Sequence, residues 1–382
     1  MYSLIIYDTS NFLDFPIGGQ LTSIKNFLKY LSIEQPIFCE RVLLVGITLN
    51  KDHVGKMQKI LINNIEFDFL PVLYRNRDLK SVETSLRLEY LKALFRFKRI
   101  IPNSKKTVHY IHTPEAFIQI KLVHPTAKTV VFSHGSFFNM LEGFRFYKNN
   151  KIISFMFNAF LIWLIKSTNL IFTLDDLSTN QYLKYTKRVY KVENSIVLPI
   201  SQCIRSSCHS PLRLLFVGRL SKVKRIDKMI EAVEALKEDV VFTIVGDGEE
   251  NVYLHNIVSE KQLEGKVKFI GSVSPKEVGD YMQKNDILIM NSVFEGKPMT
   301  IIEAMSYGMP IITTPVGGIS EMVNNGINSE YTNASAESIC MSINKVMKKY
   351  KTYSSESIKL SIKYDYKIVN KDIFTKIKEL YI

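Results

Sequence analysis

EGKPMTIIEAMSYGMPIITTPVGG, Glu295 to Gly318, is the stretch on which the fold turns. The apolar run Ile287–Met290 precedes it and reads as a strand. A loop through Glu295 follows, then a helix from Ile301 to Tyr307 with Gly308 as its C-cap, and a new strand from Ile311 to Thr313. Pro298 suits a first helical turn, where a missing N–H costs little. The N–H groups of Met299, Thr300 and Ile301 are then expected to be unpaired and available to an anion. Glu295 falls in the loop and Glu303 one turn into the helix, two carboxylates that accept hydrogen bonds from hydroxyl groups, with a first-turn acid favoured by the helix dipole the competing role for Glu303.

Upstream, the strand Leu212–Val217 runs into Gly218-Arg219-Leu220 and then Lys222, Lys224 and Arg225 before a helix over Ile226–Leu236. Cations between a strand end and a helix start suit a diphosphate, with Arg219 as a two-pronged donor and Lys224 as a point charge. Lys222 and Arg225 read instead as solvated surface charge. Val240–Val245 ends in Gly246-Asp247-Gly248, which lacks the GxGxxG spacing of a dinucleotide fingerprint and disfavours hydride transfer. Phe269 and Ile270 end the next strand, an apolar rim suited to a nucleobase, with core packing the competing role for Phe269.

The same alternation of short β-branched runs and helices fills the first half: Leu4–Tyr7, Val42–Ile47, Phe67–Leu73, Thr107–Ile111, Thr129–Phe132 and Leu170–Thr173. The chain of 382 residues therefore reads as α/β, two Rossmann-like doubly wound domains facing across a cleft. The expected division is 1–200, 201–365 and a C-terminal helix 366–382 crossing back to the first domain. Gly18 and Gly19 follow the first strand, where glycine lets a backbone approach a phosphate. His112 and His134 each follow a strand, at loop positions that carry chemistry in such folds.

The four cysteines show no CxxC pairing, which fits a reducing cytosol, and the N-terminal residues read as a buried strand rather than a signal peptide. The net charge of +13 is uneven: residues 1–200 carry +11 and the remainder +2. An anionic partner for the first half follows, a membrane surface or phosphate-bearing lipid. Nucleic acid is disfavoured because no recognition motif accompanies the charge. Basic residues concentrate in Arg75–Lys106, where Lys92, Arg96 and Arg99 share a helix face beside Leu88, Leu91 and Phe95, a pattern open to an interfacial helix. Ile152–Ile165 is apolar but too short to span a bilayer, leaving a core helix or a partly inserted one. No acidic pair suits a diphosphate-bridging metal, since Asp175-Asp176 opens a helix; no metal or cofactor is expected.

Glu295 and Glu303, with seven residues between them, resemble the E-x7-E motif of retaining family 4 glycosyltransferases. GRLSKVKRIDKMIEAV, FTIVGDGEE and VKFIGSV resemble further segments of that family in the right order, so the likeness covers nearly all of 212–327. The resemblance implies a GT-B fold and a UDP- or GDP-sugar donor held by the second domain. It implies that Glu303 binds ribose hydroxyls, Glu295 the donor sugar, and Arg219 and Lys224 the diphosphate. Gly218, Lys297, Met299 and Thr300 fall in the same donor segments, and Gly18 and Gly19 match the family's N-terminal glycine loop. His134 matches a position near the donor sugar and joins Glu295, Arg219 and Lys224 as the catalytic set. Arg225 departs from the family's usual glycine after the lysine. The implied activity is retaining transfer of a hexose to a hydroxyl of a glycan acceptor, lipid-linked, in surface polysaccharide synthesis, by a cytoplasmic protein peripheral to the inner face of the membrane. The alternatives are a nucleotide-sugar-binding accessory protein without turnover and a sugar-nucleotide epimerase.

Overall fold

The computed structural model describes residues 2–16, 18–76, 86–135 and 151–381, which divide into two compact units. Unit 1 comprises Met1–Ser195 with Tyr366–Ile382, and unit 2 comprises Ile196–Asp365. The boundary lies a few residues before the polar stretch Ser201–Pro211. Ile17 of the glycine loop, positions 77–85 of the basic stretch and Ser136 after His134 lie outside the described residues.

Unit 1 is built on eight strands: β1 (Leu4–Tyr7), β2 (Val42–Thr48), β3 (Gln58–Ile62), β4 (Ile65–Tyr74), β5 (Val108–Ile111), β6 (Lys128–Ser133), β7 (Leu170–Thr173) and β8 (Val189–Lys191). They are ordered β3-β4-β2-β1-β5-β6-β7-β8, parallel except for the β3–β4 hairpin. The hairpin is absent from the sequence reading. Its turn is Asn63-Asn64, both left-handed (φ 51° and 63°), a two-residue link that asparagine tolerates. The central strands β1, β2 and β5 are buried at every residue, as expected of strands covered on both faces. The C-terminal helix Tyr366–Lys378 packs Tyr366, Val369, Ile373 and Phe374 into the core of this unit with Phe27, Leu31 and Tyr110.

Unit 2 holds β9 (Leu212–Val217), β10 (Val240–Val245), β11 (Val267–Gly271), β12 (Ile287–Met290), β13 (Ile311–Thr313) and β14 (Ser329–Tyr331). Their order β11-β10-β9-β12-β13-β14 is wholly parallel. In each sheet the order reverses once, between β1 and β5 in unit 1 and between β9 and β12 in unit 2. Ligands of such sheets bind beyond the C-terminal strand ends at that reversal, so the loops after β1, β5, β9 and β12 are the places to look.

Helix Leu86–Arg96 stops short of Arg99, so the expected shared helix face of Lys92, Arg96 and Arg99 is not formed. In Leu86–Arg96 the core-facing residues are Tyr90, Ala93 and Leu94, while Leu88 of the expected apolar stripe is exposed. Helix Lys151–Ser167 buries Leu161, Leu164 and Ile165 and exposes Phe155, Met156 and Trp163. Among the described residues no helix is long and apolar enough to cross a membrane.

Candidate functional site

In unit 2 the loops after β9 and β12 are bonded to each other. The one-turn 3-10 helix Lys222–Lys224 ends at Arg225, which is left-handed (φ 48°, ψ 48°). That conformation favours glycine, and Arg225 compensates with its fork. Its Nε donates to Asn291 O (3.0 Å) and its Nη2 to Ser292 O (2.9 Å), while Val293 N donates to Val223 O (2.8 Å). Arg225 is thus a clamp and not the solvated charge expected of it.

Lys224 Nζ bonds Glu295 Oε1, which also accepts from Ser292 Oγ at 2.6 Å. Both side chains are mostly buried, at 20% and 11% exposure, so the carboxylate is fixed and the ammonium lies beside it. Arg219 is different. Its pair with Glu249 (3.0 Å) is exposed on both sides, 74% and 53%, and such pairs contribute little. Its guanidinium is therefore available to a ligand at small cost.

The Glu295 loop is held from behind by the turn Thr314–Gly318. A Cβ on Gly317 (φ +54°) would stand 1.7 Å from Glu295 O, and Gly318 N donates to Gly296 O at 3.0 Å. Lys297 buries its side chain to 1% exposure and pairs Nζ with Glu321 Oε2 at 3.1 Å. The structure thus puts the Lys297 ammonium on Glu321, a contact that ties the loop to the segment Gly317–Glu321. On the other flank, Gly218 N donates to Val245 O, and a Cβ on Gly246 (φ +133°) would meet Gly218 O at 1.9 Å. Backbone contact between the β9 and β10 loops requires glycine there.

Helix Met299–Ser306 starts with Pro298 as its N-cap rather than its first turn, and no side chain caps it. Ile301 N donates to Pro298 O (3.2 Å), so it is not free as expected. Among the described residues the N–H groups of Met299 and Thr300 have no acceptor, and they carry the positive end of the helix dipole. The carboxyl of Glu303, one turn on, has no hydrogen-bond partner among the described residues, and burial pushes it up to about 7. An unpartnered carboxyl beside unpaired amides is suited to a ligand that brings hydroxyl donors and an anion together. Ile270 is exposed, whereas Phe269 stacks on His255 (4.0 Å between centroids, 29°) and packs at the edge of the core. A surface cavity of about 640 Å³ opens beside the Lys222–Arg225 turn, walled by Ser221, Asp227, Glu250 and Tyr253. Glu295 and Glu303 are not among its walls.

In unit 1, Asp8, His112 and His134 follow β1, β5 and β6. Gln20 Nε2 bonds Asp8 Oδ2 and donates to His112 O (3.4 Å). Burial pushes Asp8 up to about 6 against the opposing bond from Gln20. His112 Nδ1 and His134 Nε2 are 3.0 Å apart. Gly18 is extended, with nothing within 4 Å of where a Cβ would stand, and Gly19 starts the helix Gly19–Glu34. Sequence reasoning overlooked Asp8, Gln20 and Ser292. Their signal is placement, since Asp8 and Ser292 lie immediately beyond β1 and β12. Among the described residues no cluster of three or more His, Cys, Asp or Glu side chains could hold a metal ion.

Residues 207–358 match the model of the glycosyl transferases group 1 family. The amylovoran biosynthesis glycosyltransferase AmsK of Erwinia amylovora is 31% identical over 134 residues, 33% of this chain and 33% of that protein. The lipopolysaccharide 1,6-galactosyltransferase of Salmonella typhimurium is 31% identical over 180 residues, 44% of this chain and 50% of that protein. The chain therefore spans half or less of these two relatives. HepE of Anabaena, solved in complex with UDP, superposes with a TM-score of 0.69 at 17% identity, covering 99% of this chain and 100% of that one. The fold is GT-B, an α/β architecture of two doubly wound units.

Proposed function

We propose that this chain, with its group 1 glycosyltransferase region at 207–358, is a retaining hexosyltransferase of family 4 that uses a UDP- or GDP-sugar. The observation that carries the reading is the loop after β12. Within residues 295–303 it presents Glu295, held by Lys224 of the loop after β9, the unpaired N–H groups of Met299 and Thr300, and the unpartnered carboxyl of Glu303. A nucleoside diphosphate sugar supplies the partners that the two amides and Glu303 lack, and further ones for Lys224, Arg219 and Glu295: phosphate oxygens for the cations and amides, hydroxyl protons for the carboxylates.

In this reading Glu303 binds the ribose hydroxyls, Glu295 a sugar hydroxyl, and Arg219 and Lys224 the diphosphate. As the bond from the anomeric carbon to the diphosphate lengthens, negative charge grows on the leaving oxygens. Arg219, Lys224 and the two amides stabilise it without moving, the electrostatic form of catalysis. Their supply of positive charge makes a metal unnecessary, so turnover is expected to survive EDTA. His134 hydrogen-bonds a sugar hydroxyl. The acceptor is a glycan, lipid-linked, in surface polysaccharide synthesis, a reading that the names of the two relatives support. The excess of lysine and arginine in residues 1–200 supports a peripheral place on the anionic inner face of the membrane.

Incubation with a panel of UDP- and GDP-sugars, with release of the nucleotide diphosphate followed with and without lipid-linked glycan extracts, tests the reading. Acceptor-dependent release with an unchanged anomeric configuration in the product is expected. Interconversion of the nucleotide sugar without any acceptor would point to an epimerase, and tight binding without turnover to an accessory protein.

A further inference from the structure

His112 and His134 stand at the ends of neighbouring strands of unit 1, where β5 and β6 pair Ile111 with Val131. The His112 ring is fixed on several sides. It stacks on Phe132 (5.2 Å, 14°), meets Tyr110 edge-on (4.6 Å, 65°), and its carbonyl accepts from Gln20. At 5% exposure it has no room to turn. Burial holds both imidazoles below the ordinary histidine range, His134 at about 3 and His112 well below its usual value, so both rings are neutral near pH 7.

A neutral imidazole carries one N–H and one lone pair. The 3.0 Å contact between His112 Nδ1 and His134 Nε2 therefore has one donor, and its direction sets the tautomer of both rings. His112 Nε2 decides the direction, because it is buried with no hydrogen-bond partner among the described residues. Were it protonated, a buried N–H would be orphaned, which proteins avoid more strictly than an unsatisfied acceptor. The proton then belongs on His112 Nδ1. His134 accepts at Nε2 and carries its own proton on Nδ1, which has no partner among the described residues.

We propose that His112 is a positioning residue that donates to Nε2 of His134 and so fixes His134 as an Nδ1–H donor for a hydroxyl or ring oxygen of a bound sugar. The sugar ligand rests on the glycosyltransferase reading; the tautomer lock does not.

Long-range proton–nitrogen spectra of the full chain labelled with 15N-histidine test it, with His134 assigned by the signal lost in His134→Gln. In the wild type, His134 Nδ1 is expected at the protonated and Nε2 at the unprotonated position. In His112→Phe both should move toward the average of two tautomers, and His112→Asn, which keeps a donor near the place of Nδ1, should restore them. Turnover of the nucleotide sugar should fall roughly three- to tenfold in His112→Phe, the worth of one neutral hydrogen bond, and recover in His112→Asn. A wild-type spectrum with the His134 proton on Nε2, or His134 signals unmoved in His112→Phe, would overturn the proposal, and the wild-type spectrum decides even if His112→Phe fails to fold. Shifts as expected in a protein that consumes no nucleotide sugar would uphold the lock and sink the functional reading instead.

Discussion

Glu303 is costly to the fold. An acid whose folded pKa exceeds its unfolded one is protonated in both states below its ordinary value of 4.5 and costs nothing there. Between that value and about 7 the unfolded state ionises first, so folding loses stability as pH rises and carries the full cost above about 7. Glu303→Gln removes the cost. Urea denaturation should show the variant gaining on the wild type from pH 5 to pH 8, by up to about 2 kcal/mol, with no gain at pH 4. An ordinary surface glutamate would give no such trend. Arg225 makes a second case at this scale. Arg225→Ala keeps the left-handed strain and loses the clamp on Asn291 and Ser292, so a loss of about 2 kcal/mol is expected. Arg225→Gly relieves the strain and should lose roughly half as much in the same assay. Reading Arg225 as surface charge failed because charge type says nothing of backbone conformation; the basic run Lys222–Arg225 is legible, but its left-handed end is not.

The loop after β12 works as one element, propped by the turn at Gly317 and by Lys297 on Glu321. A methyl on Gly317 has no room beside Glu295 O, so Gly317→Ala must move the loop. Expected is a loss of nucleotide binding of at least tenfold with the far-ultraviolet circular dichroism unchanged; an unaltered affinity would show that the prop is dispensable. Glu321→Ala removes the carboxylate paired with a nearly buried ammonium and should destabilise by about 3 kcal/mol, whereas Lys297→Met, which removes that charge as well, should cost less. Strands such as β1 and β12 are legible because full burial demands unbroken apolar runs, and β9 and β10 because theirs are broken at one residue each, Arg213 and Thr243. The strands β3, β8 and β14 are not: β3 and β8 are half-exposed edge strands that pattern poorly, and β14 is three residues long and buries the polar Ser329 and Glu330. Pro298 was legible as a helix start, but whether it caps the helix or occupies its first turn depends on backbone angles that no pattern encodes.

At the scale of the molecule, two sheets each reverse their strand order once, and Asp8 and His112 in unit 1, like Lys224 and Glu295 in unit 2, follow strands that flank those reversals. That much follows from alternating strands and helices alone. The partners of those residues do not, because His112 on His134, or Arg225 on Asn291, joins residues whose separation in sequence carries no periodic signal. On the proposed function, unit 2 binds a nucleoside diphosphate sugar through Lys224, the amides at Met299 and Thr300, and Glu303. Isothermal titration of UDP and GDP into the full chain and into its Lys224→Ala and Glu303→Ala variants tests it most directly. Saturable binding of one nucleotide to the wild type, weakened at least tenfold by each substitution, is the predicted result. No binding of either nucleotide, or binding that both variants retain in full, would contradict it.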